Sequence, residues 1–191
     1  MTKDTVEKQF PGLFEGLGQL QGYFEISLKE GAKPHALSTP RRVAIPLLPR
    51  VKEELERMEQ LGVIERVEQP TEWCAGLVVV PKANGKVRLC AGVRCERHPI
   101  PAVEPTLAQL AGATVFSKLD ANSGGWQIPL SKESAIPTTF ISPFGRFCFK
   151  HLPFGITSAP EHFQRRMSSF LSGIDGVVCL MDDILIHRDR S

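Results

Sequence analysis

The sequence predicts an α+β domain in which most strands pair antiparallel. Short apolar runs rich in valine, isoleucine and phenylalanine occur in pairs joined by turn residues, and each pair is typical of a β-hairpin. Stretches with helical periodicity separate these pairs. With 191 residues, of which 42% are hydrophobic and 23% charged, the chain is long enough to bury a core of its own.

Bulk composition argues against a membrane protein, a secreted protein and a disulfide or zinc framework. A formal net charge of +2 is too small to indicate a nucleic-acid binder by itself. No apolar run reaches the length of a membrane span, and the first residues lack the apolar core of a signal peptide. The five cysteines contain no Cys-x-x-Cys pair, so we expect small core residues rather than a disulfide or zinc framework. These features predict an intracellular protein, cytoplasmic or nuclear, with no membrane partner.

Residues 1–32 are expected to form a lead-in to the domain. Glycines between residues 12 and 18 interrupt any helix and predict weak order. Alternating polar and apolar side chains then predict a short strand over residues 23–28, and the prolines over residues 34–49 predict an extended arm.

An amphipathic helix is predicted from Pro49 to Gly62. We interpret it as an ordinary packing helix. Its apolar face carries Val51, Leu55, Met58 and Leu61.

A basic hairpin is predicted next. Residues 77–80 and 87–90 are β-favouring runs, and Asn84-Gly85 between them tolerates the positive φ of a tight turn. Such a hairpin can grip phosphates, but composition alone fits a solvated charged face better. Its basic side chains, with those of the segment after it, are Lys82, Lys86, Arg88, Arg94 and Arg97.

A proline-rich connector over residues 94–105 leads to a predicted strand at residues 114–119. This strand delivers Asp120 at its end, and a turn follows at residues 122–125 before residues 126–130 resume as a strand. Asp120 either caps the turn or acts with other acids that the fold brings to it.

A second hairpin is predicted from residues 138–141 and 146–149, which flank a Ser-Pro-Phe-Gly turn. A helix follows, with Ser158 as its N-cap and Gly173 at its end. Its apolar stripe consists of Phe163, Met167 and Phe170.

Two adjacent carboxylates, Asp182 and Asp183, stand between two apolar runs that suit a buried β-hairpin. Neighbouring ionised carboxylates repel each other and resist desolvation, so they cost free energy unless a cation neutralises them. A divalent metal ion would do so, whereas a polar hairpin turn is the other interpretation.

If Asp120 converged on this pair, three carboxylates from two strands would suit phosphoryl transfer. Two metal ions about 4 Å apart activate the attacking hydroxyl and stabilise the leaving oxygen, and carboxylate oxygens suit Mg²⁺. No Walker-type Gly-x-x-x-x-Gly-Lys and no Gly-x-Gly-x-x-Gly is present, so a kinase or NTPase lacks its phosphate cradle.

From about residue 33 to residue 187 the chain resembles the reverse transcriptases of gypsy-type long-terminal-repeat retrotransposons. No motif is specific alone, but their order is. The motifs are Thr71-Glu72-Trp73-Cys74, Val78-Val79-Val80-Pro81-Lys82, Phe116-Ser117-Lys118-Leu119-Asp120-Ala121-Asn122-Ser123-Gly124, Trp126-Gln127-Ile128-Pro129-Leu130, Thr138-Thr139-Phe140, Pro143-Phe144-Gly145, Leu152-Pro153-Phe154-Gly155, Ser158-Ala159-Pro160, Phe163-Gln164 and Met181-Asp182-Asp183.

The resemblance implies the fingers and most of the palm of a right-hand polymerase, with an antiparallel palm sheet and packed helices. Residues 33–113 would be mainly fingers with an extended N-terminal arm, and residues 114–191 mainly palm, interleaved in one domain over about residues 33–191. The thumb would be missing, and ribonuclease H and integrase are expected as further polyprotein domains encoded downstream.

The resemblance also implies the chemistry, which is attack of a primer 3′-hydroxyl on a deoxynucleoside triphosphate, templated by RNA or DNA. Asp120 and Asp182 would hold two Mg²⁺ ions, for which Mn²⁺ could substitute, with Asp183 as a supporting carboxylate and the Ala121 carbonyl as an extra ligand. The implied nucleotide-binding residues are Lys82, Arg88, Gly125, Phe154 and Gly155, and the implied nucleic-acid contacts are Lys86 and Arg94.

Three departures from the family pattern bear on activity. The segment after Cys90 is several residues short, Gly125 replaces an aromatic residue that excludes a 2′-hydroxyl, and Leu180 replaces a frequent aromatic. We therefore expect weak or no activity from the isolated chain. The alternative is a non-catalytic remnant that at most binds nucleic acid.

Overall fold

The computed structural model describes residues 3–28, 30–91, 110–156 and 159–188. These residues form a mixed α+β structure with two β-sheets, so the predicted fold class is confirmed. The helices are α1 (Lys3–Gln9), α2 (Leu48–Gln60), α3 (Lys132–Ala135) and α4 (Ala159–Phe170). The strands are β1 (Ile64–Arg66), β2 (Ala75–Pro81), β3 (Val87–Ala91), β4 (Val115–Asp120), β5 (Phe140–Ser142), β6 (Gly145–Phe149), β7 (Val177–Leu180) and β8 (Asp183–Arg188).

The larger sheet has five strands in the order β1-β6-β5-β2-β3. It contains the two hairpins predicted first, β2–β3 and β5–β6, both antiparallel. In the first hairpin Val79 lies opposite Leu89, and Gly85 supplies the positive φ of 78° that its turn requires. A short parallel pairing of Ala75 and Gly76 with β5 joins the two hairpins.

Helix α2 covers this sheet as the sequence predicted. Val51, Leu55 and Met58 are buried, and each such side chain stabilises the fold by about 1.5–3 kcal/mol. Leu61 is exposed instead, because it follows the last helical residue, and Gly62 turns the chain with φ 70°. The sheet's contribution to this core includes Leu77, Leu89, Phe140, Phe147 and Phe149.

The smaller sheet has the order β4-β8-β7 and is antiparallel throughout. Helix α4 contacts β7 and buries Phe163 and Met167, whereas Phe170 is exposed at its end. The predicted β7–β8 hairpin is present, but the expectation that it is buried is wrong. Val178 alone among its strand residues is buried, and β4, an edge strand, is exposed along its whole length.

The lead-in differs from the prediction. Residues Lys3–Gln9 are helical where weak order was expected, and the predicted strand over residues 23–28 is a single parallel bridge between Phe24 and Leu130. The backbone N–H groups of this segment find separate acceptors, such as the Pro129 carbonyl for Phe24 at 2.7 Å. Because those acceptors are not consecutive on one strand, no ladder forms.

The prediction of a strand over residues 126–130 is also wrong. Ser123 adopts a left-handed conformation with φ 54°, and Gly124–Gln127 then form a 3₁₀ turn in which the Trp126 N–H donates to the Ser123 carbonyl at 2.7 Å. Isolated bridges at Pro129 and Leu130 follow. The predicted connector over residues 94–105 and the predicted N-cap residue Ser158 lie outside the described residues.

Four of the five cysteines lie in the described part of the chain, and all four are free thiols. None of the helices described there has both the length and the apolar character needed to traverse a bilayer.

Candidate active site

The pairing of β4 with β8 brings the predicted acids together. Asp120 ends β4 directly opposite Asp183, the first residue of β8. Opposite residues of an antiparallel pair have Cα atoms about 4.5–5.5 Å apart. The Ala121 N–H donates to the carbonyl of Asp182 at 2.7 Å, which ties the end of β4 to the turn that carries the second acid.

The turn before Asp182 is held by a side chain of α4. Met181 has φ 55°, a left-handed conformation that costs a residue with a side chain about 1–2 kcal/mol. Gln164 accepts a hydrogen bond from the Met181 N–H through Oε1 at 2.5 Å and donates to the Cys179 carbonyl through Nε2 at 2.8 Å. The Gln164 amide therefore binds the backbone at two residues of the turn and fixes the position of the Asp182 backbone.

A glycine lies against the Asp182 carboxylate. A Cβ atom at Gly124 would overlap Asp182 Oδ1 and would lie 2.6 Å from Cζ of Phe163. Such contacts are too short for a side chain of any size. The 3₁₀ turn and α4 thus pack directly behind Asp182.

The electrostatics of the site are those of crowded carboxylates. Partial desolvation raises the pKa of Asp182, and the negative charges of Asp120 and Asp183 raise it further, whereas the positive charge of Arg88 lowers it. Solvent still reaches the Asp182 side chain. The site therefore favours a cation near these acids.

Lys118 supplies one such charge. Its Nζ lies 2.8 Å from Oδ2 of Asp183, diagonally across the β4–β8 pair, and this hydrogen bond raises the pKa of Lys118. The two side chains are 59% and 40% exposed, so the pair contributes little to stability.

The donor set fits a magnesium site in its chemistry. Three carboxylates and the Ala121 carbonyl are hard oxygen ligands, and a divalent ion would relieve the repulsion that raises the pKa of Asp182. Among the described residues, however, no three His, Cys, Asp or Glu side chains are gathered closely enough to form a ready metal cluster. Metal binding would require these side chains to converge further.

Part of the predicted nucleotide site also assembles. The Arg88 guanidinium on β3 lies 5.0 Å from the ring centre of Phe154, and Gly155 follows in a turn with φ 102°. A Cβ at Gly125 would lie 3.2 Å from the Leu152 carbonyl oxygen, so this position borders the same turn.

The remaining predicted contacts lie farther out. Lys82 and Lys86 are exposed at the tip of the β2–β3 hairpin, where a backbone hydrogen bond of 2.8 Å joins them. Arg94 lies outside the described residues.

Sequence reasoning missed Gln164 and Gly124 as site residues. Both lie in motifs that carry the family resemblance, but neither has chemistry of its own. A glutamine next to buried Phe163 signals a hydrogen-bond partner, and a Gly-Gly pair after a turn signals a close approach. Neither signal identifies the acid hairpin as the neighbour.

Among known protein families, the reverse transcriptase (RNA-dependent DNA polymerase) family matches residues 81–191 of the chain. An uncharacterised protein of Caenorhabditis elegans is 32% identical over 193 residues, covering 95% of the chain and 15% of that protein. The transposon Tf2-3 polyprotein of Schizosaccharomyces pombe is 36% identical over 120 residues, covering 58% of the chain and 9% of the polyprotein. The chain thus spans less than a fifth of the length of either relative.

Solved structures resemble the fold at low sequence identity. The native protease-reverse transcriptase of prototype foamy virus has a TM-score of 0.83 at 19% identity, covering 98% of the chain and 26% of that protein. The foamy viral protease-reverse transcriptase in complex with an RNA/DNA hybrid has a TM-score of 0.77 at 16% identity, covering the whole chain and 28% of that protein. The described fold is accordingly that of reverse transcriptase fingers and palm.

Proposed function

The chain belongs to the reverse transcriptase (RNA-dependent DNA polymerase) family, and from that premise we propose that it carries a nucleotidyl-transfer site of the gypsy-type retrotransposon enzymes. The oxygen of a primer 3′-hydroxyl would attack the α-phosphorus of a deoxynucleoside triphosphate, forming a phosphodiester and releasing pyrophosphate. The observation that supports this most is the placement of Asp120 opposite Asp183, with Asp182 in the adjoining turn.

Within this proposal Asp120 and Asp182 hold two Mg²⁺ ions, with the Ala121 carbonyl as an additional ligand and Asp183 in support. When bound, the ions lower the pKa of the attacking hydroxyl and stabilise the leaving oxygen. Gln164 and Gly124 keep Asp182 in place, since one holds its turn and the other leaves room for its carboxylate. Lys118 neutralises Asp183 in the absence of metal.

The incoming nucleotide would lie between β3 and the turn at Phe154 and Gly155. Arg88 is exposed there, and its guanidinium matches a triphosphate in charge and hydrogen-bond geometry. Lys82, at the tip of the same hairpin, would add a second positive charge. Gly125 borders this space without a side chain, so we propose weak discrimination against a 2′-hydroxyl.

We propose an RNA or DNA duplex as the partner of the chain, on the basis of one related structure and one relative. A foamy viral reverse transcriptase of the same fold was solved with an RNA/DNA hybrid. In this chain Lys86 and Arg94 would contact the template and primer. Because the transposon relative is a much longer polyprotein, further domains would supply the rest of the duplex-binding surface.

Primer extension with Mg²⁺ or Mn²⁺ tests the proposal. Asp182→Asn should lower extension at least about a hundredfold, since it removes a ligand charge from the reacting centre. The matched control is Asp175→Asn, an exposed acid in the loop before β7, which should leave extension unchanged. Extension that survives Asp182→Asn would remove the catalytic assignment, and duplex binding without extension in the wild type would favour the non-catalytic remnant.

A further inference from the structure

Four side chains form a continuous column from α2 to the β2–β3 hairpin. The Arg57 guanidinium lies 5.2 Å from the ring centre of Trp126, and the Trp126 and Phe154 ring centres are 5.6 Å apart at an interplanar angle of 54°. The Arg88 guanidinium in turn lies 5.0 Å from the ring centre of Phe154. Cations over rings and tilted ring pairs are both attractive arrangements, so each member orients the next.

Ring contacts hold the centre of this column. Trp126 is 3% exposed, and its buried Nε1–H has no hydrogen-bond partner in the part of the chain that the structure describes. A buried indole normally fixes its orientation through that group. Core packing and the contacts of its ring with Phe154 and Arg57 must therefore do so.

The outer end of the column is itself oriented. Arg57 donates through Nε and Nη2 to the two carboxylate oxygens of Glu54, at 2.8 and 2.7 Å. A two-point contact of this kind fixes the plane of a guanidinium, which a single contact would leave free to rotate. An exposed surface arginine is thus held with its charge over a buried ring.

We propose that Arg57 is a positioning residue for nucleotide binding, acting through Trp126 on Phe154 and Arg88. It touches no part of the nucleotide site itself. Its charge holds the indole plane, the indole sets the tilt of the Phe154 ring, and Phe154 places the Arg88 guanidinium. This inference rests on the proposed function, because it assumes that Arg88 and Phe154 meet the incoming nucleotide.

The test is nucleotide affinity in Arg57→Met, which keeps an unbranched apolar stem and removes the charge. In a Trp73→Phe background the fluorescence comes from Trp126 alone, since the chain has two tryptophans. Titration with a deoxynucleoside triphosphate should show a Kd about two- to fivefold higher than in the parent, the range expected for one exposed cation–π contact. In primer extension KM should rise and kcat should stay unchanged, because Arg57 does not act on the reacting atoms.

Two further variants separate positioning from general stability. Lys52→Met removes an exposed cation of the same helix that is paired with Glu56 at 3.8 Å, and it should leave Kd unchanged. Arg57→Lys should recover part of the lost affinity because it restores the charge without the two-point contact. In a double-mutant cycle with Phe154→Leu, the effects of Arg57→Met should be non-additive.

The result that overturns the inference is a Kd for Arg57→Met equal to that of the parent while Arg88→Ala weakens binding. Additive effects in the cycle would overturn it as well. If Arg88→Ala bound the nucleotide as tightly as the parent, or if the parent bound none, the proposed nucleotide site itself would be wrong and this inference would be lost with it.

Discussion

The ionised Asp182 carboxylate, which the proposed chemistry requires, lowers the stability of the folded chain. Its pKa is raised in the folded chain, so the folded state binds this proton more tightly than the unfolded state does. The corresponding stabilisation is complete at low pH and is lost as the pH rises through the raised pKa. At neutral pH the ionised carboxylate therefore destabilises the fold.

The same variant that removes activity should consequently stabilise the protein. Asp182→Asn is expected to raise the melting temperature slightly at neutral pH, since solvent screens an exposed carboxylate, and the gain should shrink as the pH falls below the raised pKa, where the wild type is protonated. Thermal unfolding across this pH range measures it, with Asp175→Asn as the control that should show no such gain. A lower melting temperature for Asp182→Asn at neutral pH would mean that the attraction of Arg88 outweighs the desolvation and the repulsion.

Gly124 is required by close approach rather than by backbone conformation. Gly124→Ala should cost about 1–3 kcal/mol of unfolding free energy, because its Cβ would displace both the Asp182 carboxylate and the Phe163 ring. Gly12→Ala is the matched control, since a Cβ there meets nothing within 4 Å, and its effect should stay within about 0.5 kcal/mol. Urea unfolding compares the two, and equal midpoints would show that the loop behind Asp182 yields without cost.

Single functional residues could be predicted from the sequence where their own chemistry is distinctive. Residues that matter only because of what they contact in the fold could not. Two adjacent acids in an apolar context attract attention wherever they lie. Gln164 and Gly124 matter only because Met181 and Asp182 fold against them, and that neighbourhood is set by the packing of α4 on β7.

Among the elements, the β7–β8 hairpin depends on α4 for its geometry. Gln164→Ala removes the acceptor of the Met181 N–H and the donor to the Cys179 carbonyl, so the left-handed turn loses both of its bonds to α4. We expect a loss of about 1–3 kcal/mol in unfolding free energy, faster amide exchange at Met181, and reduced primer extension. Ser169→Ala, at an exposed position of the same helix, should change none of these. Unaltered exchange at Met181 in the glutamine variant would show that the turn holds itself.

Elements that depend on local sequence were predicted, and those that depend on distant partners were not. The three hairpins contain their own turns and their own alternation, so β2–β3, β5–β6 and β7–β8 follow from the sequence. β1 has three residues and exists through its pairing with β6, more than 80 residues later. Residues 126–130 have strand-like composition, but the left-handed Ser123 starts a 3₁₀ turn there.

In the whole molecule, the two sheets are built from interleaved parts of the chain. β4 pairs with β8 across a segment that contributes β5, β6 and α4, so the acids meet only when the intervening fold is complete. The order of the motifs, through the family resemblance, implied that these acids meet. Strand order and register could not be read from periodicity, which describes each strand without its partner.

One arginine of α4 adds side-chain hydrogen bonds to the backbone contacts that hold the lead-in to the rest of the molecule. Arg166 donates from Nη1 to the carbonyls of Gln21 and Gly22, both at 2.9 Å, and from Nη2 to that of Tyr23 at 2.7 Å. Three charge-assisted bonds to consecutive carbonyls fix an irregular backbone that lacks a ladder. Sequence reasoning predicted weak order up to about residue 21 and a strand from residue 23, because it could not foresee this partner 143 residues away.

Arg166→Met should therefore loosen the lead-in without unfolding the domain. Tyr23 is 68% exposed and is a chymotrypsin target, so its cleavage rate reports local opening. We expect cleavage about tenfold faster, because losing these bonds costs on the order of 1.5 kcal/mol in an exposed setting, while the urea midpoint of the domain moves little. The control is Arg165→Met at the neighbouring arginine, whose Nη2 lies 2.8 Å from Nδ1 of His162, and this variant should be cleaved at the parent rate. If both variants were cut equally fast, the buried Phe24 side chain rather than Arg166 would be what holds the lead-in to the palm.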